Sequence, residues 1–303
     1  MATVLECLGR GARVAVVRLR SLGDCVLTTP ALEILREARP DLAVAVVVEN
    51  RFRPVFEGNP AVAALLGPSA RAVRGWSPEL VLNLHGGATS ARLTALSGAR
   101  LRAGFAHFRH GFVYNVRIPR AQEVLGVERK VHTAEHLASA VFHLGAPRRE
   151  IPRARLFAGP RPPGRAYAVI HPAASEPGKT WPVEHFTAAA EYMDRVLELE
   201  PVFIAGPEDD TAPFHRYRVV RGAPLEEVKR LLGGATLFLG NDSGPAHMAA
   251  AFGLPVVVLF GSSDAEVWRP WRTASEVLRS PEGIGSIEVR HAVEALERLR
   301  VRA

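Results

Sequence analysis

Four short stretches of this 303-residue chain set chemically able side chains beside glycine and proline turns. In FLGNDSGPAHMAAAFG (238–253) a strand gives way to Asn241, Asp242 and Ser243 and then to a helix. Gly244 lets a ligand approach the backbone, and Pro245 is pre-set for a first helical turn. Ser243 or Asp242 can cap that helix, whose free N–H groups and positive dipole end suit a diphosphate. His247 falls in the first turn, so its ring can reach the same anion. A helix serving structure alone accounts for Asp and Ser but gives no reason for Gly-Pro-x-His.

SEPGKTWP (175–182) carries Lys179, one of only three lysines among 38 Lys and Arg residues. Its Gly-Lys-Thr ends the phosphate loop G-x-x-x-x-G-K-[ST], yet Ala173 stands where the first glycine belongs. Pro182 follows and biases Trp181 toward extended geometry, which leaves no room for a helix beginning at Lys179. What remains is a lysine at the carboxyl end of a strand, where ligands of open α/β sheets bind. A solvated surface lysine is the alternative.

RSLGDCVLTTPAL (20–32) makes a tight strand-to-helix turn with Ser21 and Gly23, leaving Asp24 at the start of the helix. That carboxylate either accepts a proton or merely caps; Asn caps nearly as well as Asp, so Asp24→Asn is expected to spare folding. FIAGPEDD (203–210) sets Glu208 at another strand end, as a hydrogen-bond acceptor for sugar hydroxyls or as a solvated acidic turn. No His, Cys and Asp cluster has metal-ligand spacing, so no metal site is expected. The dinucleotide fingerprint G-x-G-x-x-G is missing after both candidate first strands, and Gly9-Arg10-Gly11 precedes its strand; a nicotinamide cofactor is disfavoured.

These turns need a scaffold of strands alternating with helices. RVAVVRL (13–19), LAVAVVV (42–48), AVAALLG (61–67) and ELVLNLH (79–85) are apolar runs of strand length. The helical period of 25–39 stops at Pro40, and HTAEHLASAVFHLG (132–145) is amphipathic and ends at glycine. Residues 146–165 hold five prolines and no periodicity, the best linker. Strands are expected again at AYAVIH, PVFIAG, ATLFLG and PVVVLFG, with helices between them and a closing helix in SIEVRHAVEALERLR. The alternation implies right-handed βαβ units and parallel sheets covered on both faces. The expected fold is α/β: two doubly wound domains, 1–150 and 151–303, facing a cleft.

Composition narrows the partners. With 48% hydrophobic and 23% charged residues, the chain is globular rather than disordered. Its longest apolar stretches fall short of the roughly 20 residues of a membrane span, and its first residues lack a signal-peptide pattern. Cys7 and Cys25 make no disulfide framework, so a reducing cytoplasm is expected. Residues 1–150 carry 20 Lys and Arg against 12 Asp and Glu, whereas 151–303 carry 18 against 19, so the net +7 lies in the first half. An anionic partner is expected there. The basic stretch 102–120, read as a loop, offers Arg102, Arg109 and His110.

Taken in order, RLRSLGDCVLTTPAL, HPAASEPGKTWPVEHF, FIAGPEDD and GNDSGPAHMAAAFGLPVVVLFGSSD resemble glycosyltransferase family 9, the ADP-heptose:lipopolysaccharide heptosyltransferases, over residues 14–270. The resemblance implies the GT-B architecture, an inverting, metal-independent transfer and no cofactor. It implies an ADP-sugar donor held by the C-terminal domain and an anionic glycolipid acceptor on the N-terminal one. By the same resemblance Asp24 is the general base, with Ser21 and Gly23 beside it on the acceptor side. Lys179 binds the diphosphate, Glu208 is an acidic donor contact, and Asp242, Ser243, Gly244 and His247 match D-[ST]-G-x-x-H. Ala173 and Ala174 stand where the family often carries hydroxyls, leaving Ser175 as the substitute. A cytoplasmic enzyme touching the inner membrane face, without nucleic acid, is the expected setting. A nucleotide-sugar epimerase, which needs no acceptor, and a catalytically silent binding module are the other readings.

Overall fold

The computed structural model describes residues 2–159, 164–174 and 176–300. They fall into two compact units, Met1–Phe157 and Ala158–Ala303. The first unit runs past residue 150 because Ile151, Ala154 and Leu156 are buried and the Arg155 N–H donates to Thr29 Oγ1 at 3.0 Å.

The first unit opens with β1 (Arg13–Val17), α1 (Leu22–Ala38), β2 (Ala43–Val47), α2 (Arg53–Phe56) and β3 (Ala64–Leu66). It continues with α3 (Ala70–Trp76), β4 (Leu80–Asn83), α4 (Ala88–Ala95), β5 (Leu101–Phe105), β6 (Val116–Ile118), α5 (Ala121–Leu125) and α6 (Thr133–Leu144). All its strand pairings are parallel, in the order β3-β2-β1-β4-β5-β6. The runs RVAVV and AVAVV fit this placement, because central parallel strands are covered on both faces and need apolar side chains at every position.

The second unit contains β7 (Tyr167–His171), α7 (Val183–Arg195), β8 (Glu200–Ala205), β9 (Arg218–Arg221), α8 (Leu225–Gly234) and β10 (Leu237–Asn241). Then come α9 (Gly244–Phe252), β11 (Val256–Phe260), α10 (Ala265–Trp268), β12 (Ser275–Arg279) and α11 (Val289–Arg300). Its sheet, also parallel throughout, runs β12-β11-β10-β7-β8-β9. Counted from its own first strand, this is the same order as the first unit's. In each sheet the winding direction reverses between the first and fourth strands, β1 and β4 or β7 and β10. The carboxyl ends of that strand pair are where doubly wound sheets bind ligands.

The structure corrects one sequence reading here: 102–120 is not a loop. It contains most of β5 and all of β6, joined by the connection 106–115, in which 111–113 form one 3₁₀ turn. Their short runs interleave Arg102, Gly104 and Arg117 with apolar residues, which breaks the continuous apolar signal of a buried strand. The same mixing hid β9 (RVVR) and β12 (SEVLR), the edge strands of the second sheet.

Candidate active site

At the switch point of the first unit, β1 passes to α1 through residues 18–21. Ser21 is the N-cap and Asp24 the third residue of the helix, so Asp24 is not itself the cap. One carboxylate oxygen of Asp24, Oδ2, accepts from Ser21 Oγ at 3.0 Å and from the Ser21 N–H at 3.4 Å. The other, Oδ1, lies 3.4 Å from Arg18 Nη1. Arg18 is 5% exposed and also donates to the Leu84 carbonyl. Burial pulls its guanidinium pKa down, and Asp24 opposes that pull. Both oxygens of Asp24 are thus directed, while its side chain keeps 24% exposure toward solvent. Gly23, between cap and carboxylate, is buried.

The fourth strand supplies the other wall. Asn83 is fully buried at the end of β4. Its Oδ1 accepts from the His85 and Gly86 N–H groups at 3.0 and 3.1 Å, and its Nδ2 donates to Tyr114 Oη at 2.9 Å. Gly86 has φ +78°, and a β-carbon there would come within 2.7 Å of the Phe108 ring. His85 is held below its usual pKa by burial, then by the neighbouring Arg18 charge. Arg18, Asn83 and His85 were not singled out from the sequence. Arg18 and the strand run ELVLNLH were in view, but pairing across the sheet is what gives them roles.

The basic residues of 102–120 are not brought together. Arg102 lies near the start of β5, level with Val81 on β4, away from the carboxyl ends. Its guanidinium donates to the Val113 and Ala99 carbonyls at 3.0 and 3.1 Å. Those bonds tie it to the backbone. Arg109 and His110 do sit on the connection that follows the carboxyl end of β5; Arg109 is exposed, and His110 meets the Phe112 ring edge-on at 6.2 Å.

In the second unit β7 ends at His171, and Lys179 closes a single 3₁₀ turn on the way to α7. The Lys179 ammonium is 3.7 Å from Glu176 Oε1. Two residues on, Trp181 is fully buried and donates Nε1–H to the Ile287 carbonyl at 2.8 Å. The loop is seated against Gly261, where any β-carbon would lie 2.0 Å from the Gly178 carbonyl oxygen. Ser175 lies outside the described residues.

The neighbouring strand β10 delivers the rest. Ser243 is the N-cap of α9, but its side chain caps nothing; Oγ lies 3.1 Å from His171 Nδ1. Burial pushes the His171 pKa down to about 4, so the ring is neutral near pH 7. The Asp242 carboxyl is raised by burial, and a hydrogen bond with Ser263 and the charge of Lys179 work against the rise. Lys179, Asp242 and the start of α9 at Gly244 therefore share one end of the β7–β10 pair. His247 is buried, its ring 6.3 Å from that of Trp268. Glu208 is exposed in the turn after β8, which Asp209 closes by accepting from the Gly206 N–H at 2.7 Å. Among the described residues, no group of three or more His, Cys, Asp and Glu side chains could hold a metal ion. Nor is any helix among them long and apolar enough to cross a membrane.

Two parallel six-stranded sheets in one chain, each with polar residues at its switch point, match the GT-B architecture. The crystal structure of the glycosyl transferase family 9 protein from Veillonella parvula DSM 2008 superimposes with a TM-score of 0.85 at 21% identity, covering 96% of this chain and 98% of that one. E. coli heptosyltransferase WaaC with ADP does so with a TM-score of 0.82 at 21% identity, covering 94% and 99%. The profile of glycosyltransferase family 9 (heptosyltransferase) matches residues 69–292, and the chain belongs to that family. It is a glycosyltransferase. Lipopolysaccharide heptosyltransferase 3 of Escherichia coli is 28% identical to it over 300 residues, 84% of either chain.

Proposed function

We propose that this enzyme moves a heptose, or a closely related sugar, from an ADP-sugar to an anionic inner-core glycolipid, with inversion and without a metal ion. The observation that carries this reading is the meeting of Lys179, Asp242 and the uncapped start of α9 at the carboxyl ends of β7 and β10. Displacing a nucleoside diphosphate builds negative charge on the leaving oxygen, which fixed cations and helix N–H groups can stabilise. Lys179 supplies the cation and Gly244 the close backbone. Glu208 is suited to a sugar or ribose hydroxyl. The names of similar proteins, a lipopolysaccharide heptosyltransferase and a heptosyltransferase solved with ADP, support this donor and acceptor class.

Asp24 is the general base in this reading. An acceptor hydroxyl attacks the anomeric carbon from the face opposite the diphosphate. The new C–O bond forms as the bond to the diphosphate oxygen breaks; ADP leaves, and the hydroxyl proton passes to an Asp24 oxygen. Ser21 and Arg18 aim that carboxylate. The acceptor's anionic groups are assigned to the basic first unit through Arg109 and His110. Phe112, 79% exposed on the same connection, suits the interfacial zone of a cytoplasmic membrane face.

The test is transfer from ADP-heptose to a lipid-linked inner-core acceptor in excess EDTA, with the product's anomeric configuration read by NMR. Turnover with inverted configuration is expected. Loss of turnover on chelation, restored by Mg²⁺ or Mn²⁺, would refute the metal-free donor site, and retention would remove the single-displacement scheme.

A further inference from the structure

Asn241 is the last residue of β10 and is fully buried. Its neighbour in the motif, Asp242, belongs to the proposed donor site, but the Asn241 side chain turns into the protein. There Nδ2 donates to the Pro172 carbonyl at 2.7 Å, and Oδ1 accepts from the Trp181 N–H at 3.2 Å. Pro172 and Trp181 are the two ends of the loop that carries Lys179. A carbonyl can only accept and an N–H can only donate, so these partners fix which way the amide faces. Asn meets both at once. Asp would set a second acceptor against the Pro172 oxygen, and Leu would leave both backbone groups unsatisfied.

The clip occurs where the sheet stops. Strand pairing between β7 and β10 ends at the pair Gly240 and His171. The Asn241 amide takes over the ladder's bonding for the next residues on the β7 side. It thereby ties the loop bearing the cation to the strand bearing Asp242 and Ser243.

We propose that Asn241 is a positioning residue of the donor site: its amide joins both ends of the 172–181 loop and so fixes the Lys179 ammonium for the donor's diphosphate. The proposal rests on the reading of Lys179 as the diphosphate cation. A preset loop loses less conformational freedom when the anion binds, so the clip acts as affinity for diphosphate.

The test is a double-mutant cycle on the full chain, with ADP affinity measured by calorimetry and adenosine as the ligand lacking phosphate. Asn241→Ala is expected to weaken ADP about tenfold, the effect of roughly one net hydrogen bond. Adenosine affinity should not change. In a Lys179→Ala background, Asn241→Ala should alter ADP affinity less than about twofold, since residues acting through one another are non-additive. Asn241→Ser, which keeps one hydroxyl for the two partners, should fall between and serves if the Ala variant does not fold. Equal losses in both backgrounds, or a matching loss for adenosine, would reduce Asn241 to general support of the fold. An ADP affinity indifferent to Lys179→Ala would instead remove the donor assignment on which the proposal stands.

Discussion

The two units wind their sheets in one order yet anchor their key charges in opposite ways. In the first, the strand-to-helix connection is four residues, 18–21, and Asp24 is held by that connection itself, by Ser21 on one oxygen and Arg18 on the other. In the second, the corresponding connection runs from 172 to 182, and Lys179 is held by remote parts of the unit, Asn241, Gly261 and the Ile287 carbonyl that takes Trp181. The fourth strands repeat the contrast. Asn83 and Asn241 both end their strands fully buried, but Asn83 turns its carbonyl oxygen back on the N–H groups of its own turn, while Asn241 gives both ends of its amide to the neighbouring loop. A short turn presents a carboxylate at a fixed point, as a proton acceptor requires. A longer loop can wrap an anion but needs outside clips to hold still.

Breaking the first anchor should have the largest effect. If Asp24 takes the proton, Asp24→Asn lowers turnover by about 10² to 10⁴, with ADP affinity near wild type by calorimetry. The sequence expectation of unchanged stability needs revision, because Asn leaves the buried Arg18 without its carboxylate; a cost of about 1–3 kcal/mol is expected. The rate should therefore be measured well below the variant's melting temperature. Near-normal turnover in a folded Asp24→Asn enzyme would take this residue out of the chemistry.

The second anchor is tested at Gly261. An added β-carbon overlaps the Gly178 carbonyl, so Gly261→Ala must push the Lys179 turn aside. A shift of packed backbone costs about 1–3 kcal/mol, and ADP affinity should fall with it. The counterpart Gly86→Ala, strained by its positive φ and the Phe108 ring, should leave ADP affinity alone. If both variants weakened ADP equally, the division of labour between the units would be wrong.

Acid should loosen both units. Burial holds His136, stacked on Phe105, and His171 near pKa 4, against 6.5 for a free imidazole. Between those values the unfolded chain binds the protons that the folded one refuses, so stability falls as pH drops from about 6.5 to about 4. Melting temperatures across that range should slope downward with falling pH, and less steeply in His136→Gln or His171→Gln. A flat profile in the wild-type chain would contradict the desolvation of both rings. The smallest effect belongs to Arg109→Ala. An exposed cation is worth at most about 1 kcal/mol and is screened by salt, so acceptor affinity should drop a few-fold at low ionic strength and match wild type at high. Donor affinity should ignore the change.

Much of this architecture was legible because its central strands are uninterrupted apolar runs, RVAVV and VVVLF among them. The edge strands β6, β9 and β12 are harder to read, because solvent on one side admits Arg and Glu, whereas the edge strand β3 keeps the apolar run ALL. The placing of Asp24, Lys179, Asp242 and Gly244 after strand ends is legible because turn residues carry local signals. Arg18, Asn83, Asn241 and Gly261 are not, since each acquires its role from a partner distant in the chain. Gly261 reads as an ordinary glycine until the Gly178 carbonyl is seen beside it. Arg102 shows the converse: its charge is plain in the sequence, and the backbone carbonyls that engage it are not.

Trp181 gives the second unit a built-in optical gauge. Its indole is sealed from water and tethered two residues from Lys179, so its emission lies toward the blue while the loop is seated. Any event that lifts the loop wets the ring and moves the emission to the red. Once Trp76, Trp268 and Trp271 are replaced by phenylalanine, the seating of Lys179 can be followed by this fluorescence in real time, without a label.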